Sequence, residues 1–457
     1  MSINETMNLN NIFHPKSIVL IGATNNKKKI GYDIAKNISI YDGKIFFVNR
    51  NEDFIGGKRS YSSVMELEGS ADLVIIAIPA HKVEDVLEEC GKKGIKGAVI
   101  ISAGFSEIGD YGSEEKLCKI SKKYGIRIIG PNSVGLTNNE IDLNATFTMN
   151  SKKGHIAFLS QSGALGAAII YKTVYEDIGF SKFVSLGNMA DIDFCTLLEY
   201  LSNDGGTKSI AIYMEGITDG KKFIKIAKEC SLKKPVIVLK SGTSMEGARA
   251  TSSHTGSLAG SDSTYDAAFK QSGVLRAKTI DNLLDMAKVF SLPMLESNNV
   301  AILTNAGGPG ILATDECVLQ GLNVPMLSEG TMSKLKRILS RYASVKNPID
   351  TIAQADYNQY YNCIKTLQND NCIDAILSII VVPTFAKIGM NAHAKAIVDG
   401  WDHEKPLVTC FMSGEMATSS IRYMLINKIP SYPSPERAAI ALGSLWKYSK
   451  WYNEHHD

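Results

Sequence analysis

The stretch that decides the fold is "SIVLIGATNNKKKIGYDIAKNI", residues 17–38. A β-branched run, Ser17 to Ile21, leads into Gly22 and a polar turn, and an amphipathic segment follows. The same order of strand, glycine turn and helix recurs along the whole chain. This pattern predicts βαβ units, and therefore parallel sheets with helices on both faces.

The size and composition of the chain favour a multidomain globular protein. A length of 457 residues exceeds what one hydrophobic core usually supports, so we expect two to three domains. Contents of 44% hydrophobic and 21% charged residues exclude a disordered or collagen-like chain. A formal net charge of +2 gives no broad attraction to nucleic acid or to an anionic membrane. No apolar run approaches the ~20 residues of a membrane helix, and no signal peptide is recognisable, so we expect a cytoplasmic protein.

The 8 cysteines are scattered through apolar and helical contexts. They form no CxxC pair and no spacing typical of metal ligands. We therefore expect reduced thiols and no metal site.

Strand candidates fall into three blocks along the chain. The first block closes near "GPNSVG", and the second begins at "GHIAFLSQSG", residues 154–163. The stretch "SLPMLESNN", residues 291–299, has the composition of an interdomain linker. These features predict domains at residues 1–145, 146–294 and 295–457.

The first block carries a candidate nucleotide-like ligand site. Gly22 at a strand end and Gly31 near a helix start would let backbone amides approach a pyrophosphate. The motif is not GxGxxG, and the next strand ends in Asn49 and Arg50 rather than in the acidic residue that binds an NAD ribose. Lys27–Lys29 with Arg50 suit a ligand with additional phosphates, such as coenzyme A or NADP. The alternative is that the three lysines are only a solvated turn.

Two further turns, "FLSQSGALGAAII" and "LTNAGGPGILATD", each place small residues between a strand and a helix. Free backbone amides and the helix dipole make such helix N-termini good anion sites. We expect the second of these helices to begin near Ile311. The alternative for either motif is a close-packed βα turn. The candidate phosphate-binding residues are Ser160, Ser162, Gly163, Asn305, Gly307 and Gly308.

A single histidine, His254, stands in "ATSSHTGSLAG", residues 250–260. Its small hydroxyl and glycine neighbours predict a mobile loop that cannot bury the ring. A neutral imidazole nitrogen is a competent nucleophile for a phosphoryl group, provided that an acceptor holds the other ring nitrogen. Glu215 in "AIYMEGITDG" follows a strand and is the candidate acceptor, although a capping or solvated glutamate is an equal alternative.

Taken together, the motifs resemble one known family. "IGATNNKKKIG", "SAGFSE", "GPNSVG", "SQSGALG", "SLGNMADID", "YMEGI", "SSHTGSLAG", "TNAGGPGILATD" and "NPIDTIAQAD" occur in the order found in the α subunit of NDP-forming acyl-CoA synthetases. These are the ADP-forming acetate–CoA ligases, related to succinyl-CoA synthetase. The resemblance covers essentially the full length. It implies an α/β protein with a Rossmann-like CoA-binding domain followed by two flavodoxin-like, doubly wound parallel-sheet domains.

The resemblance also implies an activity. Acyl-CoA, phosphate and ADP would interconvert with carboxylic acid, CoA and ATP through an acyl phosphate and a phosphohistidine at His254, which Glu215 would orient. Nothing in the chain resembles an ATP-grasp domain, so the resemblance implies a separate β subunit that binds ADP or ATP and Mg²⁺, in an α₂β₂ heterotetramer. The implied CoA contacts are Gly22, Thr24, Lys27, Ile30, Gly31, Asn49, Pro79, Ser102, Ala103 and Asn132.

Two other functions remain as alternatives. A non-catalytic CoA-binding regulatory or scaffold subunit would need neither His254 nor Glu215, and both are present. An NADP-dependent oxidoreductase built on the first block lacks the dinucleotide fingerprint.

Overall fold

The computed structural model describes residues 9–255, 261–382 and 391–456, without the side chains of residues 251–255. The chain divides into two compact units, Met1–Arg276 and Ala277–Asp457. The first unit contains two sheets and the second unit a third sheet.

The first sheet has seven strands in the order β3-β4-β2-β1-β5-β6-β7. Its pairs are parallel except the β3–β4 hairpin. Helices connect β1 to β2, β5 to β6 and β6 to β7, as the recurring strand, turn and helix pattern predicts. The elements are β1 (Ser17–Ile21), α1 (Ile30–Ile38), β2 (Lys44–Val48), β3 (Phe54–Ile55), β4 (Lys58–Tyr61), β5 (Leu73–Ile76), α2 (Val83–Lys92), β6 (Gly97–Ile100), α3 (Tyr111–Tyr124) and β7 (Arg127–Ile129).

The second sheet also has seven strands, in the order β14-β13-β12-β10-β11-β8-β9. Strands β10 to β13 are parallel and form its centre. The elements are β8 (Gly135–Asn138), β9 (Leu143–Thr146), β10 (Lys152–Ser160), α4 (Gly163–Tyr175), β11 (Gly179–Ser185), α5 (Phe194–Ser202), β12 (Ser209–Met214), α6 (Gly220–Ser231), β13 (Val236–Lys240), α7 (Met245–Thr255), α8 (Asp262–Ser272) and β14 (Leu275–Ala277).

One apolar core joins the two sheets of the first unit. Ile18 and Leu20 of β1 belong to the same buried cluster as Leu159 of β10 and Val184 of β11. Every residue of β5 and β6 is buried, which is typical of strands covered on both faces by helices. The apolar runs that predict these strands are therefore also what fixes the two sheets against each other.

The hairpin of β8 and β9 was not predicted from the sequence. Its strands, "GLTN" and "LNAT", carry buried polar side chains, so no apolar alternation marks them. The Nδ2 group of Asn138 donates to the carbonyl of Phe13 at 2.8 Å, which satisfies it in the interior. Strand β8 pairs antiparallel with β11 of the second sheet. The domain boundary at residue 145, which falls at the end of this hairpin, stays a prediction, as does the boundary at 294.

The second unit has a five-stranded parallel sheet in the order β16-β15-β17-β18-β19. Its first helix is joined to its last, because the buried carboxylate of Asp285 accepts from Arg437 Nη2 at 3.0 Å. The elements are α9 (Ile280–Val289), β15 (Val300–Thr304), α10 (Gly307–Leu319), α11 (Glu329–Ile338), β16 (Ile349–Asp350), α12 (Tyr357–Gln368), β17 (Ala375–Ile380), α13 (Ala392–Gly400), β18 (Leu407–Phe411), α14 (Thr418–Ile426), β19 (Ser431–Tyr432) and α15 (Pro435–His455).

The predicted α/β class with predominantly parallel sheets is confirmed, but two local predictions are wrong. Helix α10 begins at Gly307, not near Ile311, because Pro309 is tolerated in a first turn, where its missing N–H needs no partner. The backbone of residues 250–255 is helical rather than a loop, since α7 runs to Thr255. Ser244 Oγ accepts from the N–H of Gly247 at 3.0 Å and caps this helix. Among the described residues, every helix is too short or too polar to span a bilayer.

Candidate functional site

The first unit contains a cleft of about 1710 Å³ between its two sheets. Its walls are the turns that follow β1, β2, β5 and β6 of the first sheet and β10, β11 and β12 of the second. Open α/β sheets bind ligands at this carboxyl edge of their strands. The cleft therefore lies where both sheets expose their ligand-binding turns.

Nine of the ten residues that the resemblance places at CoA line this cleft. Lys27 is the exception, because it is exposed and is not part of the cleft wall. Lys29, in the same turn, and Arg50, which was also predicted to bind the phosphates of the ligand, do contribute to the wall. The nine are Gly22, Thr24, Ile30, Gly31, Asn49, Pro79, Ser102, Ala103 and Asn132.

Gly22 and Gly31 form a cradle that only glycine fits. Gly22 has φ +91°, and a Cβ there would lie 2.2 Å from the carbonyl oxygen of Ala77. A Cβ on Gly31 would lie 2.0 Å from the carbonyl oxygen of Gly22. The two glycines thus bring the turn after β1 onto the start of α1 and leave backbone at the cleft surface. This arrangement fits a pyrophosphate-bearing ligand such as CoA.

Glu52, which was not predicted as a site residue, stabilises the same turn. Its carboxylate accepts a hydrogen bond from Thr24 Oγ1 and another from the N–H of Asn25, at 2.9 Å. These hydrogen bonds, from Thr24 first and then from Asn25, lower the pKa of Glu52. The only signal in the sequence was an acidic residue four positions after a strand, without the spacing of an NAD site.

A hydrogen-bond network joins the two sheets across the cleft. Asn188 Nδ2 donates to Glu107 Oε2 at 2.7 Å and to Glu114 Oε2 at 2.8 Å, and its Oδ1 accepts from Asn132 Nδ2 at 3.2 Å. Burial acts to raise the pKa of Glu107, but the hydrogen bonds from Asn188 and from the N–H of Gly104 outweigh it and lower the pKa. Of these residues, Asn132 was predicted from the family resemblance as a CoA contact.

The N-terminus of α4 lies in the cleft wall. Ser162 is its N-cap, with Oγ accepting from the N–H of Leu165 at 3.4 Å, and both Ser162 and Gly163 line the cleft. Ser160 is fully buried and does not line the cleft. Its hydroxyl donates to the carbonyl of Ser162 at 2.6 Å, so it holds the turn in shape.

Glu215 follows β12, lines the cleft and is only 7% exposed. The side chain of Gln161 fixes its turn, because Oε1 accepts from the N–H of Glu215 at 2.8 Å and from the N–H of Gly216 at 3.1 Å. The N–H of Gln161 in turn donates to the carbonyl of Tyr213 at 3.2 Å. The turn at the N-terminus of α4 and the turn that carries Glu215 are thus tied together. This role of Gln161 was not predicted from the "SQSG" motif, because its partners are 54 and 55 positions away.

Polar side chains surround Glu215 behind the cleft. Burial raises the pKa of Tyr213, and the charge of Glu215 together with a hydrogen bond to it adds to the shift. Lys240 is 4% exposed, with its ammonium 4.7 Å from the centre of the Tyr265 ring. Burial lowers the pKa of Lys240, while the carboxylates of Asp262 and Glu215 oppose that shift.

His254 belongs to α7, and the structure describes its backbone but not its side chain. Helix α7 packs against the 3-10 turn Ser106–Ile108, which includes Glu107 of the cleft wall. The helix that carries His254 is therefore next to the cleft.

Asn305, Gly307 and Gly308 belong to the second unit. Gly307 and Gly308 form the first turn of α10, and a Cβ on Gly308 would meet nothing within 4 Å. The side chain of Asn305 has another partner: its Nδ2 donates to the carbonyl of Val381 at 2.8 Å, and its Oδ1 accepts from the N–H of Val381 at 2.9 Å. This side chain thus joins the ends of β15 and β17.

One cluster with metal-ligand chemistry lies among the described residues, away from the cleft wall. Ligand atoms of His14, Glu140 and Asp204 lie within 4.8 Å of one another. The fully buried ammonium of Lys182 already pairs with both carboxylates, at 3.0 Å from Glu140 Oε2 and 2.7 Å from Asp204 Oδ2. The Lys182 ammonium therefore already pairs with the two carboxylates of this cluster.

Three family models match consecutive parts of the chain. A CoA binding domain matches residues 16–139, a succinyl-CoA ligase like flavodoxin domain matches residues 153–290, and a Ligase-CoA domain matches residues 300–454. The first two matches coincide with the two sheets that form the cleft. Together with the parallel sheets, they confirm the predicted order of a Rossmann-like CoA-binding domain and flavodoxin-like domains.

Relatives of known name match almost the whole length of the chain. The α subunit of acetate–CoA ligase [ADP-forming] II from Pyrococcus furiosus is 49% identical, over 97% of this chain and 98% of its own length. An acetate–CoA ligase [ADP-forming] from Methanocaldococcus jannaschii is 44% identical over 96% of this chain, which spans 63% of that relative. The dinucleotide forming acetyl-coenzyme A synthetase 1 of Candidatus Korarchaeum cryptofilum, solved with phosphate and ADP, is 36% identical with a TM-score of 0.93 and covers 98% of both chains. The chain therefore belongs to the family of ADP-forming acetate–CoA ligase α subunits.

Proposed function

We propose that the chain is the α subunit of an ADP-forming acyl-CoA synthetase. It would interconvert acyl-CoA, phosphate and ADP with a carboxylic acid, CoA and ATP. The observation that carries the proposal is the single cleft that joins the glycine cradle of the first sheet to Glu215 and the N-terminus of α4 in the second.

The first-sheet half of the cleft suits the nucleotide end of CoA. Gly22 and Gly31 offer backbone for the pyrophosphate, and Lys29 and Arg50 line the same half with positive charge. A flexible pantetheine arm bound along the cleft would carry the thioester toward Ser162 and Gly163. The residues present therefore fit the ligand that the family implies.

The first chemical step would occur at the N-terminus of α4. A phosphate oxygen attacks the thioester carbon, the carbon–sulfur bond breaks, and CoA leaves as a thiolate that takes up a proton. The products are an acyl phosphate and free CoA. The backbone N–H groups of the first turn of α4, after the cap Ser162, would hold the phosphate for this attack.

The second step would transfer the phosphoryl group to His254. A ring nitrogen attacks phosphorus, the bond to the acyl oxygen breaks, and the carboxylic acid leaves as carboxylate. Glu215 would accept from the other ring nitrogen and stabilise the cation that forms. A β-phosphate oxygen of ADP would then attack the phosphohistidine to give ATP and restore the imidazole.

The nucleotide step requires a partner. We propose that a separate ATP-grasp β subunit holds ADP or ATP and Mg²⁺, and that the two chains form an α₂β₂ heterotetramer. The Pyrococcus relative, which is named as an α subunit, supports a two-chain enzyme. The Methanocaldococcus relative, which is named as a ligase without a subunit designation, is longer, and this chain covers 63% of it. The unpaired state of all 8 cysteines supports a reducing, cytoplasmic location.

Phosphorylation of the chain by itself tests the proposal without the partner. Incubation with ³²P-labelled acetyl phosphate should give a label that is lost in acid and retained in base, as expected of phosphohistidine. His254→Ala should abolish the label, and Glu215→Gln should slow its formation at least 10-fold. His456→Ala, at an exposed position near the end of α15, is the matched control and should label like the wild type.

The same experiment separates the proposal from its alternative. A wild-type chain that binds CoA but takes no label, either from acyl phosphate or from ATP with the β subunit and Mg²⁺, would be a CoA-binding regulatory or scaffold subunit. A label that persists in His254→Ala would show that a residue other than His254 is phosphorylated.

A further inference from the structure

We infer that Gln161 is a further substrate-binding residue of this site. Its Oε1 fixes the Glu215 turn, and its Nε2 donates a hydrogen bond to an oxygen of the phosphoryl group at the N-terminus of α4. This inference rests on the proposed function, because it concerns the phosphate that the proposed reaction consumes.

The orientation of the Gln161 amide follows from its partners. Oε1 lies 2.8 Å from the backbone nitrogen of Glu215 and 3.1 Å from that of Gly216. Both partners are N–H donors, so only the oxygen of the amide can face them. The NH₂ group must therefore occupy the other position of the amide.

The NH₂ group of Gln161 is available for a ligand. Among the described residues it donates to no protein acceptor, whereas both donor partners of Oε1 are present. Gln161 is half-buried and lines the cleft together with its neighbours Ser162 and Gly163. A donor held in place on a cleft wall beside a helix N-terminus is positioned to bind an anion.

The cationic side chains of the cleft wall lie in the half formed by the first sheet, so an anion in the other half needs neutral donors such as the Gln161 amide. Among the described residues of the cleft wall, the lysine and arginine side chains are Lys29, Arg50 and Lys82, and each follows a strand of the first sheet. The half formed by the second sheet contains Glu215 instead. A phosphoryl group bound there depends on neutral donors, namely the first amides of α4 and the Gln161 side chain. Neutral donors hold the anion without the tight ion pair that would resist its transfer.

The substitution Gln161→Glu separates the two roles of the side chain. Glutamate keeps an acceptor for the N–H groups of Glu215 and Gly216, but it replaces the NH₂ donor by a negatively charged oxygen. In the holoenzyme assayed toward ATP formation, with inorganic phosphate as the varied substrate, we expect the KM for phosphate to rise at least 10-fold. The KM for CoA in the reverse direction should stay within twofold, and the Tm within about 2 °C.

Two further variants complete the test. Gln161→Met has similar length but neither donor nor acceptor, so it should raise the KM for phosphate and also lower kcat, because the Glu215 turn loses its anchor. Gln271→Glu, at an exposed position of α8 outside the cleft, introduces the same charge and should leave both constants unchanged.

A KM for phosphate within twofold of the wild type in Gln161→Glu overturns the inference. If that variant fails to fold, an unchanged phosphate KM in Gln161→Met overturns it equally. An equal rise in the KM values for phosphate and CoA also contradicts it, since that would indicate a distorted cleft. Failure of the proposed function is distinguishable, because it would appear as a wild-type chain without a label on His254.

Discussion

A β-carbon on Gly31 would lie 2.0 Å from the carbonyl oxygen of Gly22, so the start of α1 lies in direct backbone contact with the turn after β1. Gly22 itself has φ +91° and would place a β-carbon 2.2 Å from the carbonyl oxygen of Ala77. Three backbone segments therefore meet at this point with no room for a side chain.

The first prediction concerns this glycine contact. Gly22→Ala should destabilise the chain by about 2–4 kcal/mol, since it combines left-handed strain with overpacking against backbone. CoA binding should weaken as well, because the cradle moves. Thermal unfolding and calorimetric titration with CoA measure the two effects. Gly56→Ala is the control: Gly56 has φ +54° with nothing within 4 Å, so it should cost only about 1 kcal/mol and leave CoA affinity unchanged. Equal effects of the two substitutions would contradict the argument.

The second prediction concerns Asn188, whose NH₂ group serves the carboxylates of both Glu107 and Glu114. Asn188→Ala removes the shared donor and should cost about 1–3 kcal/mol. Asn188→Asp should cost more, because it sets a third carboxylate against the other two. Unfolding in urea at neutral pH measures the difference, and the two variants should converge as the pH falls and the carboxylates become protonated. An aspartate variant as stable as the alanine variant at pH 7 would show that the three groups are not close in solution.

The third prediction concerns the buried ion pair of Lys182 and Asp204. Burial acts to raise the pKa of Asp204, but the hydrogen bonds from Lys182 and Thr207 outweigh it and lower the pKa. A carboxyl group with a lowered pKa adds stability above the pKa of the unfolded chain, about 3.9, and that stability is lost as the pH falls through the folded value. Lys182→Met removes the fully buried ammonium and leaves the partly buried carboxylate of Asp204 without this partner, so it should cost about 3–5 kcal/mol at pH 7.

The pH dependence checks the cause of that loss. Without Lys182 the pKa of Asp204 should rise, so the difference in unfolding free energy between wild type and Lys182→Met should shrink between pH 7 and pH 4. Lys153→Met is the control, because Lys153 pairs with Asp142 at 2.9 Å while both side chains are more than half exposed, at 61% and 58%. It should change stability by less than about 1 kcal/mol at any pH. A pH-independent loss in Lys182→Met would indicate lost packing instead of lost charge pairing.

The fourth prediction concerns Met189 and Ile217, which follow β11 and β12 on either side of β10 and line the cleft. Neighbouring strands lie about 4.8 Å apart, so these apolar side chains flank the turn at Ser162 where the proposed reaction places the acyl group. Truncation to alanine should widen the space and shift kcat/KM about 10-fold in favour of bulkier apolar acids over acetate. A panel of acids of increasing size measures the shift, with Met326→Ala, exposed in the second unit, as the control. An unchanged order of preference in both variants would place the acyl group elsewhere.

The sequence predicted well the elements that depend on local pattern. The β-branched run from Ser17 to Ile21 marked β1 with its observed bounds, because four of its five residues are buried and apolar. The glycine turn after β1 was also predictable from the local sequence, because the close backbone approaches at Gly22 and at Gly31 exclude every residue with a β-carbon. Glu215 was chosen because it follows a strand end, where α/β folds place functional side chains, and it does line the cleft. Its catalytic role stays a prediction.

The sequence predicted poorly the features that depend on a distant partner. The hairpin of β8 and β9 carries polar side chains in its buried strands, so no apolar pattern marks it, and Asn138 finds its acceptor at the carbonyl of Phe13, 125 positions away. His254 was expected in a loop because its neighbours are small, yet the same small residues are compatible with the helix that Ser244 caps.

The sequence by itself determined that the chain is α/β and that Gly22 lies in the turn after β1 and Gly31 near the start of α1, because backbone geometry and the spacing of apolar residues act over a few neighbouring residues. Only the tertiary structure decided that Gln161 holds the turn of Glu215, that Asn188 joins two glutamates of the other sheet, and that Lys182 is a buried cation. Those contacts join residues 54, 81 and 22 positions apart. A hydrogen bond or ion pair of this kind has no local signature, since its energy depends on the position of a partner that folding alone brings near.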